Sequence, residues 1–277
     1  MVSYSLLFSN DFNCHTQVLS QVDVLDYGKC HHDLFWIKSK TIDTGVLSTL
    51  PLHDFYIVDK KKKPNIQERG LLMLDMDATS INIECIDELA KIYGVEKKVE
   101  AITEQAMVGN MDFSESLINR VAHLRGLEKS SMYRLFDVLE VNNGFKSLID
   151  AFKACQWKIV LATGGFDFVA QHLMTTYHLD GFIANVLECK HDRLTGRVIG
   201  DIISPEHKAE YLQYLLKEWN IPVTQSIAIG DGANDINMLS SAQLSVGFRN
   251  KFILNDIVDL KLSYTGLDVA FYVLRYL

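Results

Sequence analysis

Cysteine is sparse in this 277-residue chain, and what there is stands scattered. Cys14, Cys30, Cys85, Cys155 and Cys189 lie far apart with no CxxC pair. That argues against a disulfide framework or a thiolate metal site and predicts reduced thiols. Long apolar runs are missing too. No stretch approaches the roughly 18 uninterrupted apolar residues of a membrane span, and Met1 to Asn10 has no cationic region ahead of its short apolar run. The chain therefore reads as unexported, cytoplasmic and without membrane contact. Positive charge is also short: 27 Lys and Arg stand against 35 Asp and Glu, a formal net charge of −8. The charge is spread along the chain, so no region reads as a footprint for nucleic acid. If such an acidic protein handles a phosphate, it must supply local positive charge or a metal.

Apolar residues make up 48% of the chain, enough for a sizeable core, and the length suits one domain with a large insertion or two unequal domains. The run Lys60-Lys61-Lys62-Lys63-Pro64-Asn65 reads as a solvated linker ended by a helix breaker. Before it, Tyr4 to Phe8 and Phe55 to Val58 read as strands of a small α/β module, residues 1–63, whose role the sequence does not reveal. After it, Leu71 to Leu74, Lys158 to Ala162 and Ser226 to Ile229 are short apolar runs suited to strands buried on both faces. Helical patterns alternate with them: Ile86, Leu89, Ala90 and Tyr93 share one face before Gly94, and Phe145, Leu148, Ile149 and Phe152 share another. This predicts a doubly wound, mainly parallel α/β sheet formed by residues 64–82 and 143–277, with ligands bound beyond the carboxyl ends of its strands. Residues 83–142 read as successive helices, with Asp112 and Glu115 spaced as a capping box and Gly126 as a stop. Inserted after the first core strand, they would form a lid.

Four short motifs carry the chemistry. The first strand ends in Asp75-Met76-Asp77-Ala78-Thr79, two carboxylates just past a strand. An EF-hand loop would need Gly and Glu where Ser80 and Ile86 stand. The second strand runs into Thr163-Gly164-Gly165, a hydroxyl and two glycines ahead of a helix whose starting N–H groups suit phosphoryl oxygens. No Gly-Lys-Ser/Thr follows, so a P-loop is excluded. The third strand runs into Gly230-Asp231-Gly232-Ala233-Asn234-Asp235, acidic where a dinucleotide fingerprint needs a glycine. Hard carboxylate oxygens after neighbouring strands suit Mg2+. Lys208, opening the amphipathic stretch of Tyr211, Leu212 and Leu215, is a candidate fixed cation, though alone it would read as a solvated lysine.

In order and placement these motifs resemble the four motifs of the haloacid dehalogenase superfamily. The pieces DMDATSINIECIDELA, EQAM, MDF, SLINRV, ATGGF, LTGRVIGDI and AIGDGAND narrow the resemblance to the phosphoserine phosphatases, over about Leu71 to Phe248. The chain differs in Ala78, where serine is usual, in Thr163, also usually serine, and in Asn142-Asn143-Gly144, where a proline is more usual.

The resemblance implies hydrolysis of O-phospho-L-serine, the last step of serine biosynthesis, through a phosphorylated Asp75. It implies Asp77 as general acid and then base, with Mg2+ held by Asp75, the Asp77 carbonyl and Asp231. Lys208, the Thr163 hydroxyl and the Gly164 N–H would steady the phosphoryl oxygens, and Asn234 and Asp235 would support them. In the lid, Glu84 would meet the substrate ammonium and Arg120 its carboxylate, with Met107 and Phe113 lining the interior. Two other readings compete: a related phosphatase or phosphotransferase acting on another small phosphomonoester, and an amino-acid sensor working through the N-terminal module. The oligomeric state stays open, a homodimer included.

Overall fold

The computed structural model describes residues 4–9, 24–29, 35–39, 55–58, 63–107, 111–263 and 265–276. The N-terminal part contains β1 (Tyr4–Ser9), β2 (Val24–Lys29), β3 (Phe35–Ser39) and β4 (Phe55–Val58), an antiparallel sheet in the order β2-β3-β1-β4. The two strands expected here are present; the segments between the four strands lie outside the described residues.

The remaining strands form one seven-stranded sheet: β5 (Leu71–Leu74), β6 (Lys158–Phe166), β7 (Gly181–Lys190), β8 (Arg193–Ile199), β9 (Ser226–Gly230), β10 (Leu244–Phe248) and β11 (Leu260–Leu262). Their order is β11-β10-β9-β5-β6-β7-β8, parallel throughout except for the β7-β8 hairpin. β5 is central and fully buried. Its pleat divides the core: Leu72 and Leu74 join one apolar cluster, Leu71 and Met73 the other. This is why the run reads as continuously apolar rather than alternating.

Helices cover both faces. α1 (Cys85–Tyr93), α2 (Glu96–Met107), α3 (Phe113–Ala122) and α4 (Lys129–Met132) come between β5 and α5 (Phe145–Ala154). Then follow α6 (Asp167–Tyr177), α7 (Pro205–Glu218), α8 (Ile236–Ser241) and α9 (Val269–Tyr276). The predicted stripe of α5, from Phe145 to Phe152, is buried with α6 and α9 on one face, while Leu212, Leu215 and Leu216 of α7 are buried with α8 on the other. The chain leaves the core and returns to it along a narrow antiparallel ribbon. Asn82 N donates to Glu140 O at 3.0 Å, Asn142 N donates to Ser80 O at 2.9 Å, and Ile81 bridges Val141.

Gly94 ends α1 in the left-handed conformation, at φ 77°, and Asp112 caps α3 by accepting from Glu115 N at 2.8 Å. Three local expectations are corrected. Tyr93 is 38% exposed instead of sharing the buried face, because its hydroxyl reaches out to donate to Arg125 O at 2.8 Å. α3 stops at Ala122, not Gly126; the Gly126 N–H instead donates to Leu194 O at 2.8 Å, tying the following turn to β8. Lys60 to Lys62 lie outside the described residues, but Pro64 is buried, and Asn65 N donates to Gln225 Oε1 at 2.7 Å. The end of the expected linker is thus fastened to the core. The N-terminal sheet docks there too: the Trp36 ring stacks on Tyr276 of α9 at 4.3 Å.

Candidate active site

The centre of the sheet builds the floor of the site. Asp75 follows β5 directly, and its N–H donates to Ile229 O of β9 at 2.9 Å. That bond sets the ends of two neighbouring strands level, so Asp75 and Asp231 emerge side by side. After Asp75 the chain winds through one tight turn, Met76–Ser80, in which Ala78 takes φ 55°. Ser80 Oγ donates to Asp75 O at 2.6 Å and closes the turn.

Beyond β9, Asp235 organises the second acidic loop: its Oδ2 accepts from Asp231 N at 3.0 Å and Gly232 N at 3.2 Å. Lys208 joins the two loops from below. It lies in the first turn of α7, whose start is set by Pro205 and by Ser204 N donating to His207 Nδ1 at 3.2 Å. Its Nζ donates to Asp75 Oδ1 at 2.5 Å and to Asp235 Oδ1 at 2.8 Å, and the residue is fully buried. The solvated reading of this lysine is therefore wrong.

Three carboxylates, Asp75, Asp231 and Asp235, bring oxygens within 4.8 Å of one another, against one buried ammonium. Burial, then the charge of Asp235, raises the Asp75 carboxyl well above its ordinary range, Lys208 opposing. Burial works against the charge on Lys208, but Asp235 and Asp75 outweigh it and hold the ammonium protonated. Asp231 is raised by burial, with Lys251 opposing. Uncompensated negative charge on hard oxygens suits a divalent cation. Asp235 has both oxygens engaged by Lys208 and two amides, so Asp75 and Asp231 are the carboxylates with lone pairs to spare.

Asp77 sits within the turn. Cys85 N donates to its Oδ1 at 3.3 Å, and burial pushes its carboxyl up to about 6. The Cα of Gly165 faces it so closely that a methyl group there would collide with Asp77 Oδ2. Thr163, Gly164 and Gly165 do stand ahead of a helix, as expected, but they lie inside the strand rather than after it. β6 continues to Phe166, with an irregularity in its pairing after Ala162, and α6 begins only at Asp167. The two glycines let the strand bulge and keep its N–H groups near the site without a helix start. Thr163 Oγ1 accepts from Gly165 N at 2.8 Å, which leaves its own hydrogen to donate.

Asp75, Asp77, Thr163, Gly164, Asp231 and Asn234 line one cleft, closed from the other side by Glu84, Phe113 and Arg120. The cleft is small, with a cavity volume of about 60 Å³. Glu84 is exposed as a residue, at the N-cap of α1. Its carboxyl is nevertheless pushed up to about 7, by the cleft walls first and the charge of Asp77 next, with Lys251 opposing and solvent at the mouth moderating the effect. Burial lowers the pKa of the Arg120 guanidinium, while Asp87 and Glu84 favour its charge. Met107 ends α2, and its side chain lies outside the described residues. The sequence reading missed Lys251, which also lines the cleft, 3.5 Å from Asp231 Oδ2, with its N–H donating to Asp231 O at 2.8 Å. A lone lysine in a loop after β10 carries no local signal; the pairing of β9 with β10 brings it there.

The family model for haloacid dehalogenase-like hydrolases matches residues 73–240. A phosphoserine phosphatase from Idiomarina loihiensis is 45% identical over 198 residues, 72% of this chain and 90% of the relative. Another, from Haemophilus influenzae, is longer: 43% identity covers 68% of this chain and 60% of the relative. A solved structure of a probable phosphoserine phosphatase from Vibrio cholerae superposes with a TM-score of 0.85 at 26% identity, covering 99% of this chain and 86% of that one. Motifs, sheet order and these likenesses agree, and the chain belongs to the haloacid dehalogenase-like hydrolase family, in its phosphoserine phosphatase branch.

Proposed function

We propose that the protein hydrolyses O-phospho-L-serine to serine and phosphate, with residues 83–142 acting as a cap over a core of residues 64–82 and 143–277. The observation that carries this reading is the pairing of opposite charges, Glu84 and Arg120, in the same narrow cleft as Asp75. Phosphoserine carries an ammonium and a carboxylate beside its ester, and each meets a complementary partner there.

An oxygen of Asp75 attacks phosphorus, and the bond from phosphorus to the serine oxygen breaks as Asp77 gives that oxygen its proton. A raised carboxyl pKa keeps Asp77 protonated often enough to serve as an acid near neutrality. Asp77 then takes a proton from water, which attacks the phosphorus, and the bond from phosphorus to Asp75 breaks. Lys208, already on Asp75 Oδ1, and the Thr163 hydroxyl and Gly164 N–H balance the charge on the phosphoryl oxygens. Asp75, Asp231 and the main-chain carbonyl of Asp77 would hold Mg2+, which supplies electrostatic stabilisation of the transferring group. Asn234 and Asp235 support this arrangement, Asp235 by fixing Lys208 and the Asp231 loop, and Phe113 completes the inner wall of the cap. Lys251 adds a cation at the mouth.

Phosphate release over a panel of phosphomonoesters, with and without Mg2+, tests the reading. Phosphoserine is expected to lead the panel. Arg120→Ala should lower kcat/KM for it about ten- to a hundredfold while doing much less to an aryl phosphate. Equal losses on both substrates would defeat the assignment of phosphoserine.

A further inference from the structure

Asn142 stands where the chain comes back from the cap, and no step above uses it. Its side chain is buried, and Nδ2 donates to three main-chain carbonyls of the turn that follows Asp75: Ala78 at 3.2 Å, Thr79 at 2.8 Å and Ile81 at 2.9 Å. Carbonyl oxygens only accept, so the amide must turn its NH2 and not its own oxygen toward them, which fixes the way it points. Two hydrogens serve three acceptors, and one is shared. The main chain reinforces the clamp, with Asn142 N donating to Ser80 O at 2.9 Å and Phe145 N donating to Asn142 O at 3.0 Å. One residue thus joins the turn, the ribbon between cap and core, and the start of α5.

The turn needs such a clamp. Ala78 holds φ 55°, a left-handed conformation disfavoured for a residue with a Cβ, and it persists only where its surroundings overdetermine it. Asp77 precedes it, and among the described residues its carboxylate takes a long bond from Cys85 N, 3.3 Å, which comes from the cap. A group held from the cap alone would drift whenever the cap moved. The ribbon beside Asn142 is where the chain passes between cap and core.

We propose that Asn142 is a positioning residue that locks the turn after the nucleophile, so that Asp77 keeps its place over Asp75 while the cap opens and closes. The inference rests on the reading of Asp77 as acid and base. Asn142→Asp, nearly the same shape, would set a carboxylate against three carbonyl oxygens; Asn142→Ala would leave those carbonyls without their donor.

The test uses the full chain with Mg2+ and phosphoserine, in rapid-quench measurements below the melting temperature of each variant. Both substitutions are expected to slow formation and breakdown of the phosphoryl-enzyme by about tenfold, equivalent to about 1.4 kcal/mol in each barrier, with KM little changed. Asn143→Ala, altering an exposed neighbour, should keep wild-type rates. Asn142→Ser retains one donor and should fall between; it decides the matter if the other two do not fold. Wild-type rates in Asn142→Ala or Asn142→Ser, or a change in KM alone, would overturn the proposal. A wild-type enzyme inert toward phosphoserine would instead overturn the function on which it rests.

Discussion

Lys208 Nζ lies 2.5 Å from Asp75 Oδ1, with both side chains almost completely shielded from solvent. A buried ammonium is tolerated only because Asp75 and Asp235 flank it, and those carboxylates are tolerated together only because it is there. Removing one partner of such a pair typically costs about 3–5 kcal/mol. Lys208→Ala should therefore lose stability on that scale in chemical denaturation, and lose about a hundredfold or more in kcat, as when a preorganised donor is deleted. Lys208→Arg should not rescue it, since the sealed position has no room for a guanidinium. Near-normal kcat in Lys208→Ala would remove the lysine from the mechanism.

Gly164 meets the cap through Phe113. A methyl group on Gly164 would stand 2.5 Å from Phe113 Cζ, so Gly164→Ala should prop the cap open. The expected effect is a fall in kcat/KM of about tenfold, since one contact is displaced rather than a catalytic group removed. Phe113→Ala in the same chain should recover part of that loss, because the obstructing ring is gone. A double-mutant cycle on kcat/KM makes the measurement, and strict additivity would mean that the two residues do not meet in the working enzyme.

The carboxyls of the site predict how metal and pH act together. Folded Asp77 is raised to about 6 and Glu84 to about 7, and Asp75 and Asp231 are raised as well. Each folded pKa exceeds its unfolded value, so the folded state binds more protons. The associated stability is present in full below the unfolded pKa and is lost as pH rises through about 6 to 7. Metal-free protein should thus melt at a lower temperature at pH 8 than at pH 5.5 as far as these groups decide it. Added Mg2+ should raise the melting temperature more at pH 8, where its ligands are ionised. Melting curves at the two pH values, with chelator and with Mg2+, check this; a larger Mg2+ effect at pH 5.5 would contradict it.

Much of this architecture was legible because its signals are local. Leu71 to Leu74 announce a central strand by burial on both faces, Asp75 and Asp231 directly follow strands that the same rule finds, and Thr163 lies within a third. Glu84 and Arg120 became legible through likeness to a family, since an acid at a helix start and a charge on a helix face are ordinary by themselves. What escaped depends on contacts distant in sequence. Lys251 reaches the cleft because β10 pairs with β9, and Asn142 meets carbonyls 61 to 64 residues earlier. That β6 runs on through Gly164 and Gly165 was hidden as well, because glycines ahead of a helix read as a turn unless the pairing with β7 is known. The fastening of Pro64 and Asn65 was hidden for the same reason, as its partner Gln225 lies 160 residues away.

The central claim is that Asp75 carries the phosphoryl group, and the mass of acid-quenched enzyme tests it most directly. Enzyme mixed with excess phosphoserine and Mg2+, quenched within the first turnovers and digested, should yield one phosphorylated peptide spanning Asp75. That adduct should be stable in acid, released by hydroxylamine as an acyl phosphate, and absent from Asp75→Asn. An adduct on any other residue, or one that persists in Asp75→Asn, would contradict the account.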